Sequence, residues 1–226
     1  MTSNQSLEVF LVRVGHWEVR LKARDGEEAI RLARQLIVLL PEAREPKGLL
    51  ALMLLIDARQ STRTDEAGAI VVLEDQDRSR WNRDQIAEGS RLVEEALRDS
   101  PPGRYAVQAA IAALHARARS ASETDWAQIA LLYGVLAELQ PSPVVELNRA
   151  VAIAMSEGPE KGLSLVDAID LPGYHLLPAA RADLLRRLGR RRESAAAYRE
   201  ALTLVTNDAE RRFLERRLAE VSNVSA

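Results

Sequence analysis

From Glu27 onward, apolar residues recur at spacings of three and four, and a proline or glycine interrupts this pattern every few turns. Residues at this spacing lie on one face of an α-helix, so the pattern predicts a succession of short amphipathic helices. Aromatic residues make up only 4% of the 226-residue chain. A core built instead from Ala, Leu, Val and Ile favours closely packed helices over a β-sandwich. The predicted helices are 26–40, 47–59, 82–98, 103–118, 124–139, 143–156, 160–169, 175–188, 191–205 and 208–221.

The first 24 residues follow a different pattern. Residues 7–23 partly alternate between apolar and polar side chains on both sides of Gly15 and His16, which is typical of a β-hairpin with a short turn. We therefore interpret residues 1–24 as a variable N-terminal segment able to form a β-hairpin, residues 25–222 as a helical domain and residues 223–226 as a tail. Segment 61–74 contains Ala-Gly and a β-branched run, and predicts a short hairpin or an extended excursion.

Four places in the chain share one frame: a small or apolar residue, a bulkier one four positions later, an apolar one three further on, and a proline five beyond that. The copies are Ala29, Ala33, Leu36 and Pro41; Gly89, Val93, Ala96 and Pro101; Ile129, Tyr133, Leu136 and Pro141; and Ser194, Tyr198 and Ala201, with Thr206 in place of the proline. In a helix the first three positions lie on one face, and the proline stops the helix.

This frame resembles the second helix of a tetratricopeptide repeat, and segments 147–158 and 180–189 resemble the first helix, since both run Arg-Ala, apolar positions and Gly. Alanine-rich helix pairs can also reach such a pattern by chance. The predicted fold class is all-α: a superhelical array of antiparallel helix pairs, tetratricopeptide-like but degenerate, with a small β element near the N-terminus.

Composition narrows the functional classes. The chain has no cysteine, which excludes disulfides and thiolate metal sites. Its longest apolar run, LLALMLLI at 49–56, is too short to span a bilayer, and no secretory signal is visible, so we predict a cytoplasmic protein. The formal charge is −2; residues 171–226 hold 11 arginines against 7 carboxylates, a net charge of +4. This charge is too small to indicate a nucleic-acid binder by itself.

The stretch LEDQDRSRW at 73–81 is the strongest candidate for acid–base or metal chemistry. As a calcium loop starting at Asp75 it would need Gly at the sixth position and Glu at the twelfth, where Arg80 and Ile86 stand. We predict a structural role instead: Asp77 or Ser79 caps the helix that begins near Arg80, with acidic charge at the helix start.

The remaining residues of this stretch are given local roles. We expect Arg78 and Arg80 to neutralise the neighbouring carboxylates and Trp81 to pack the helix start into the core. Contact with a partner through Asp77 and Arg78 is the alternative.

No catalytic motif appears in the sequence. His16, His115 and His175 are at least 50 residues apart, and the chain has no metal-binding spacing, phosphate-binding glycine loop or nucleophile motif. We predict a protein without catalysis, cofactor or metal. The arginine cluster at 186–193 is the best nucleic-acid candidate, but a solvated turn between two helices is favoured because few aromatic residues accompany it.

Eight collinear segments resemble one family. They are LLALMLLIDAR (49–59), VVLEDQDRSRWNR (71–83), IAEG (86–89), TDWAQIALLY (124–133), PSPVVELNRAVA (141–152), YH (174–175), ARADLLRRLGR (180–190) and ERRFLERRL (210–218). Over residues 22–219 the chain resembles the C-terminal tetratricopeptide-like extension of a group of extracytoplasmic-function sigma factors. The promoter-binding regions that precede this extension in those proteins do not appear in this sequence.

The resemblance implies a non-catalytic module that regulates transcription by contacting sigma-factor regions or a protein partner. The implied partner is a protein or peptide in the concave groove, related to a sigma factor or RNA polymerase, with no direct DNA or membrane binding. One alternative is a divergent sigma factor that takes part directly in transcription initiation, and another is a small-molecule-binding helical-repeat protein or enzyme.

The segment LNRAVA supplies the predicted partner-binding residues. It resembles the first helix of those tetratricopeptide repeats that bind a peptide C-terminus, where an Asn just before Arg-Ala faces the groove. We expect Asn148 to point into the concave surface and to hydrogen-bond peptide backbone. Since no lysine lies nearby, Arg149 or Arg181 would bind the peptide carboxylate.

Overall fold

The computed structural model describes residues 8–14, 17–23, 26–66, 68–98 and 101–223, with side chains from residue 26 onward. Strand β1 (Glu8–Val14) pairs antiparallel with β2 (Trp17–Ala23), in a register that places Glu8 opposite Ala23 and Val14 opposite Trp17. The predicted turn at Gly15 and His16 lies outside the described residues.

Ten α-helices follow in the described part of the chain. They are α1 (Gly26–Leu39), α2 (Arg44–Asp57), α3 (Arg83–Leu97), α4 (Arg104–Arg117), α5 (Trp126–Leu139), α6 (Pro143–Glu157), α7 (Pro159–Val166), α8 (Leu176–Arg187), α9 (Arg191–Leu204) and α10 (Asp208–Ser222). Each observed end lies within three residues of its predicted position. No helix of the described chain is long and apolar enough to cross a membrane.

Polar side chains fix where several helices begin. Asn82, Asp125, Ser142 and Asn207 each accept a hydrogen bond from a backbone N–H in the first turn of α3, α5, α6 and α10, respectively. These N–H groups have no partner within the helix, so a capping oxygen stabilises the helix start.

The helices form two compact units. The first unit runs as far as Thr62 and again from Asp77 to Thr124, whereas the second comprises 63–76 and the chain from Asp125 onward. In the first unit α2 packs against α1, α3 and α4; in the second, each helix from α5 to α10 packs against the next one.

Small residues allow close helix packing in both units. Three of the four repeat frames are buried at every described position that faces the core: Ala29, Ala33 and Leu36; Gly89, Val93 and Ala96; Ser194, Tyr198 and Ala201. The hydroxyl of Ser194 donates to the carbonyl of Ala182 across α8 and α9 over 2.8 Å. The repeat frame therefore marks the surfaces on which neighbouring helices meet.

The predicted fold class was wrong in counting a small β element as part of the fold. From residue 26 onward, the described residues form helices, 3-10 turns and loops but no strand. The described residues of segment 61–74 contain a single bridge, between Thr64 and Ile70. Strands β1 and β2 precede the helices and contact α2 and α1, respectively. A two-stranded ribbon is marginally stable alone, whereas the helices supply their own core. The fold is a helical-repeat array.

Candidate functional site

The stretch LEDQDRSRW is divided between the two units, because 73–76 belongs to the second and 77–81 to the first. Asp77 is exposed and caps a short 3-10 turn, Arg78–Arg80, by accepting hydrogen bonds from the backbone N–H and the hydroxyl of Ser79. Both hydrogen bonds hold the pKa of the Asp77 carboxyl below its usual value. The helix α3 is capped by Asn82 instead, so the predicted helix cap was one turn too early.

Arg78 lies inside the first unit and is 7% exposed. Its Nη1 atom donates to the carbonyls of His115 (2.5 Å) and Ala118 (2.9 Å), and its guanidinium stacks on the Trp81 ring at 4.8 Å. The last carbonyls of a helix have no intrahelical partner and carry partial negative charge, so Arg78 satisfies the end of α4. The prediction that Arg78 neutralises its neighbouring carboxylates was therefore wrong.

Trp81 is 3% exposed, and its Nε1 donates to Thr62 Oγ1 over 3.0 Å. This agrees with its predicted role in the core. Nearby, burial lowers the pKa of His115 to about 4, with the charges of Arg59 and Arg78 adding to the effect. Within the described residues, no group of three or more His, Cys, Asp or Glu is placed to hold a metal ion.

The described residues of 63–76, here called the docked loop, leave the helical pattern and belong to the second unit. The loop turns at Asp65, whose carboxylate accepts from the Ala69 N–H at 2.8 Å, and Gly68 adopts φ +72°. The Val71 N–H donates to the Arg63 carbonyl at 2.9 Å. These bonds give the loop a fixed local shape without a strand.

Three arginines, here called the arginine face, attach the docked loop to α8 and α10. Arg187 forms an ion pair with Glu74 at 3.0 Å, Arg212 Nη2 donates to the Gly68 carbonyl at 3.1 Å, and Arg216 Nη2 donates to the Ile70 carbonyl at 3.5 Å. The Arg187–Glu74 pair is about one-third exposed and contributes at most about 1 kcal/mol, and each carbonyl bond adds about 1 kcal/mol or less. These three polar contacts together therefore contribute only a few kcal/mol.

The arginine cluster at 186–193 is compensated by neighbouring carboxylates. Arg186 and Arg187 both donate to Asp183, and Arg190 pairs with Glu193. Burial opposes ionisation of Asp183, but the hydrogen bonds and charges of the two arginines outweigh it and hold its pKa below the usual value. This arrangement supports the predicted turn between two helices, with the arginine charges compensated by ion pairs.

An apolar surface on α5, here called the α5 face, is exposed beside a cleft. Leu131, Val135 and Leu139 follow one another at every fourth position and are 73%, 38% and 45% exposed. The cleft between α5 and α6 measures about 350 Å³ and is lined by Ala127, Ala130, Leu131, Arg149, Ile153, Ser156 and Glu157. Exposed leucines and valines along one helix face are typical of a protein-contact surface.

The three predicted groove residues are not brought together. Arg149 lines the cleft beside the α5 face and lies 3.5 Å from Glu146 on its own helix. Asn148 is exposed on α6. Arg181 forms an ion pair with Asp167 at 2.7 Å and lies outside the cleft. Of the two arginines proposed to bind a carboxylate, only Arg149 is placed at the cleft.

The sequence analysis missed the α5 face and the arginine face. The first was visible as apolar residues four positions apart on a helix whose other side carries Ile129 and Leu136. The second left a weaker pattern, Arg212 and Arg216 one turn apart on α10. Nothing local pairs these arginines with a loop more than 140 positions earlier.

Residues 18–97 match a protein family described as a family of unknown function (DUF6596). An uncharacterized protein of Rhizobium meliloti (strain 1021) is 47% identical over 194 residues, which are 85% of this chain and 46% of that protein. The chain thus spans about half the length of the curated relative it matches.

Among solved structures, a thermophilic TPR protein of Thermus thermophilus matches with a TM-score of 0.58 and 16% identity, over 88% of this chain and 91% of that one. The fold is therefore tetratricopeptide-like. None of these three descriptions mentions a sigma factor.

Proposed function

We propose that this tetratricopeptide-like chain is a non-catalytic protein-interaction module that regulates transcription in the cytoplasm by contacting regions of an extracytoplasmic-function sigma factor. The collinear segments that resemble such extensions support this proposal. A relative about twice as long as the matched region is also consistent with a module joined to further regions.

The observation that carries the proposal is the α5 face beside its cleft. Leu131 is the most exposed of its three side chains, and a folded chain leaves such a side chain in water at a cost unless a partner covers it. Arg149 at the rim adds a cation that can pair with a partner carboxylate. Asn148 on the same helix offers an exposed amide that can donate and accept.

The described polar groups favour binding over catalysis. The carboxylates of Asp77 and Asp183 are engaged by Ser79 and by Arg186 and Arg187, respectively. His115 is buried at the end of α4, and the pKa near 4 keeps it neutral at pH 7. A general base needs access to substrate and a pKa closer to the working pH.

The decisive experiment is a calorimetric titration of this chain with the part of the Rhizobium meliloti relative that lies outside the matched region. We expect Leu131→Ser and Arg149→Ala each to weaken binding about tenfold or more, because the first removes the most exposed apolar side chain of the α5 face and the second removes the cation that pairs with a partner carboxylate. Arg181→Ala is the matched control and should leave the affinity unchanged, since Arg181 lies outside the cleft.

The same titration separates the alternatives. Asn148→Ala should weaken binding by about 1–3 kcal/mol if its amide bonds partner backbone. Absence of binding by the wild-type chain would contradict the proposal. Specific binding of the chain alone to promoter DNA in a filter assay would favour the divergent sigma factor, and a ligand-induced thermal shift would favour the small-molecule alternative.

A further inference from the structure

The docked loop contacts the second unit in the manner of a bound peptide. Two of its three attachments run from arginine side chains to main-chain carbonyls, at Gly68 and Ile70, and the third joins Arg187 to the carboxylate of Glu74. Carbonyl oxygens are offered by any peptide, whereas the carboxylate contact selects for acidic residues. The arginine face therefore has the donors needed to hold an extended, acidic segment.

The geometry points to an interaction surface: we propose that the arginine face binds an acidic, extended peptide segment of a protein partner, and that the docked loop occupies this surface until such a segment displaces it. The inference rests on the proposed function only in that the partner is a protein. The surface lies on α8 and α10, apart from the α5 face.

Charge explains why a partner segment can compete with the loop. The loop offers neutral carbonyls to Arg212 and Arg216, and the Arg216 contact is at the outer limit for a hydrogen bond, 3.5 Å. A carboxylate at either position would add an opposite charge and form an ion pair, which a neutral carbonyl does not offer. The surrounding segment 171–226 carries a net charge of +4, which attracts an acidic chain further.

The loop is also placed to leave. Residues 63–66 and 74–75 are exposed, whereas Ala69 near its centre and Gln76 at its end are buried. Its turn is closed by hydrogen bonds within the loop, from the Ala69 and Val71 N–H groups, and docking on the arginine face orders the loop in which these bonds form. Release breaks the Arg187–Glu74 ion pair and the hydrogen bonds from Arg212 and Arg216.

The test uses the full chain and a fluorescent peptide with the loop's own sequence, RTDEAGAIVVLEDQ, followed by anisotropy. We expect the peptide to bind, and its version with Glu74→Gln and Asp75→Asn to bind about tenfold more weakly. The chain variant Arg212→Ala/Arg216→Ala should lose binding about tenfold or more. Arg199→Ala, which changes an exposed arginine of α9, is the matched control and should behave as the wild type.

A second variant tests occupancy by the loop itself. Glu74→Gln in the chain removes the ion pair with Arg187, so the free peptide should bind about two- to fivefold more tightly. Hydrogen exchange at the Ala69 and Val71 amides should rise when the acidic peptide is added to the wild type, because the loop is displaced.

Several results would overturn the inference: equal peptide binding by wild type and Arg212→Ala/Arg216→Ala, no gain with Glu74→Gln, or no binding by either chain. Tighter binding of an oligothymidylate of equal charge would assign the surface to nucleic acid instead. A chain that binds the acidic peptide but not the unmatched part of the relative would retain this inference and contradict the proposed function. A chain that binds the unmatched part of the relative but not the acidic peptide would contradict this inference and retain the proposed function.

Discussion

At the residue scale, Arg78 joins parts of the first unit that are far apart in the sequence. Its guanidinium satisfies the carbonyls of His115 and Ala118 at the end of α4 and covers the Trp81 ring, while its own carbonyl accepts from Arg83. A planar guanidinium can bind both carbonyls and cover the ring at once, because it donates in several directions within one plane and stacks through its face. The end of α4 is thus held by a residue that precedes α3.

His115 makes the first unit sensitive to acid. Its folded pKa is about 4, mainly because of burial and then because of Arg59 and Arg78, whereas an unfolded histidine has a pKa of about 6.5. The unfolded chain therefore binds a proton between these values and the folded chain does not. The stability is complete above about pH 6.5 and decreases as the pH falls towards 4, by on the order of 2–3 kcal/mol.

Urea unfolding of the wild type and His115→Gln across this range measures the effect. As the pH falls from 7 to 4, the unfolding free energy of the wild type should decrease relative to that of His115→Gln, since only the wild type has this histidine to protonate. A difference that stays constant over that range would mean that the histidine titrates alike in both states.

Sequence reasoning reached Trp81 but not Arg78, for a physical reason. A tryptophan is buried wherever its large apolar ring can be, so its place in the core follows from its type. A long arginine side chain can lie near its sequence neighbours or several ångströms away, and the neighbouring Asp77 made the local choice look favourable. The carbonyls that Arg78 binds instead lie 37 and 40 positions further along the chain.

At the element scale, glycines decide how closely helices approach. A Cβ on Gly162 of α7 would lie 2.2 Å from the Ala154 Cβ and 3.0 Å from the Ala150 carbonyl of α6. A Cβ on Gly134 of α5 would meet only the flexible Arg149 side chain, at 3.9 Å. The two glycines therefore differ in what an added methyl group encounters, although both lie in helices.

Thermal and urea unfolding of two alanine variants should separate these cases. Gly162→Ala forces α6 and α7 apart and should destabilise the protein by about 1–3 kcal/mol. Gly134→Ala has room and removes the flexibility of glycine from a helix, so it should stabilise the protein by about 0.5–1 kcal/mol. A stabilising Gly162→Ala would show that the two helices are not packed this closely.

The helices could be predicted from the sequence, because apolar spacing and capping residues act locally. The positions of Asn82, Asp125, Ser142 and Asn207 before apolar runs mark four helix starts directly. The docked loop was not within reach, since its place depends on arginines of α8 and α10 that follow it by more than 110 positions. For 61–74 the sequence predicted a short hairpin or an extended excursion, but not its position on α8 and α10.

At the scale of the whole molecule, the order of the chain differs from the order of the compact units. The chain leaves the first unit after Thr62, contributes the docked loop to the second, and returns to the first at Asp77. Sequence neighbours such as Gln76 and Asp77 therefore belong to different units. The prediction from sequence assigned 25–222 to one helical domain. It did not include a loop that lies within the sequence of the first unit but belongs to the second.

Hydrogen exchange can show which unit protects the docked loop. Gly48→Ala places a Cβ 2.6 Å from the Ala106 backbone nitrogen, so α2 and α4 of the first unit must separate. We expect amide exchange in α2 and α4 to rise about tenfold or more, because overpacking costs about 1–3 kcal/mol and raises the open population accordingly. The Ala69 and Val71 amides of the loop should exchange as in the wild type, although they lie in sequence between two parts of the first unit.

Arg212→Ala is the complementary variant. It removes the contact with the Gly68 carbonyl and should raise exchange in the loop, while α2 and α4 keep their wild-type protection. If hydrogen exchange in the loop rises together with exchange in α2 in the Gly48→Ala protein, residues 63–76 belong to the first unit. The docked loop would then not be bound by the arginine face. Loop exchange that responds to Arg212→Ala alone would establish that α8 and α10 hold a segment borrowed from the middle of the other unit's sequence.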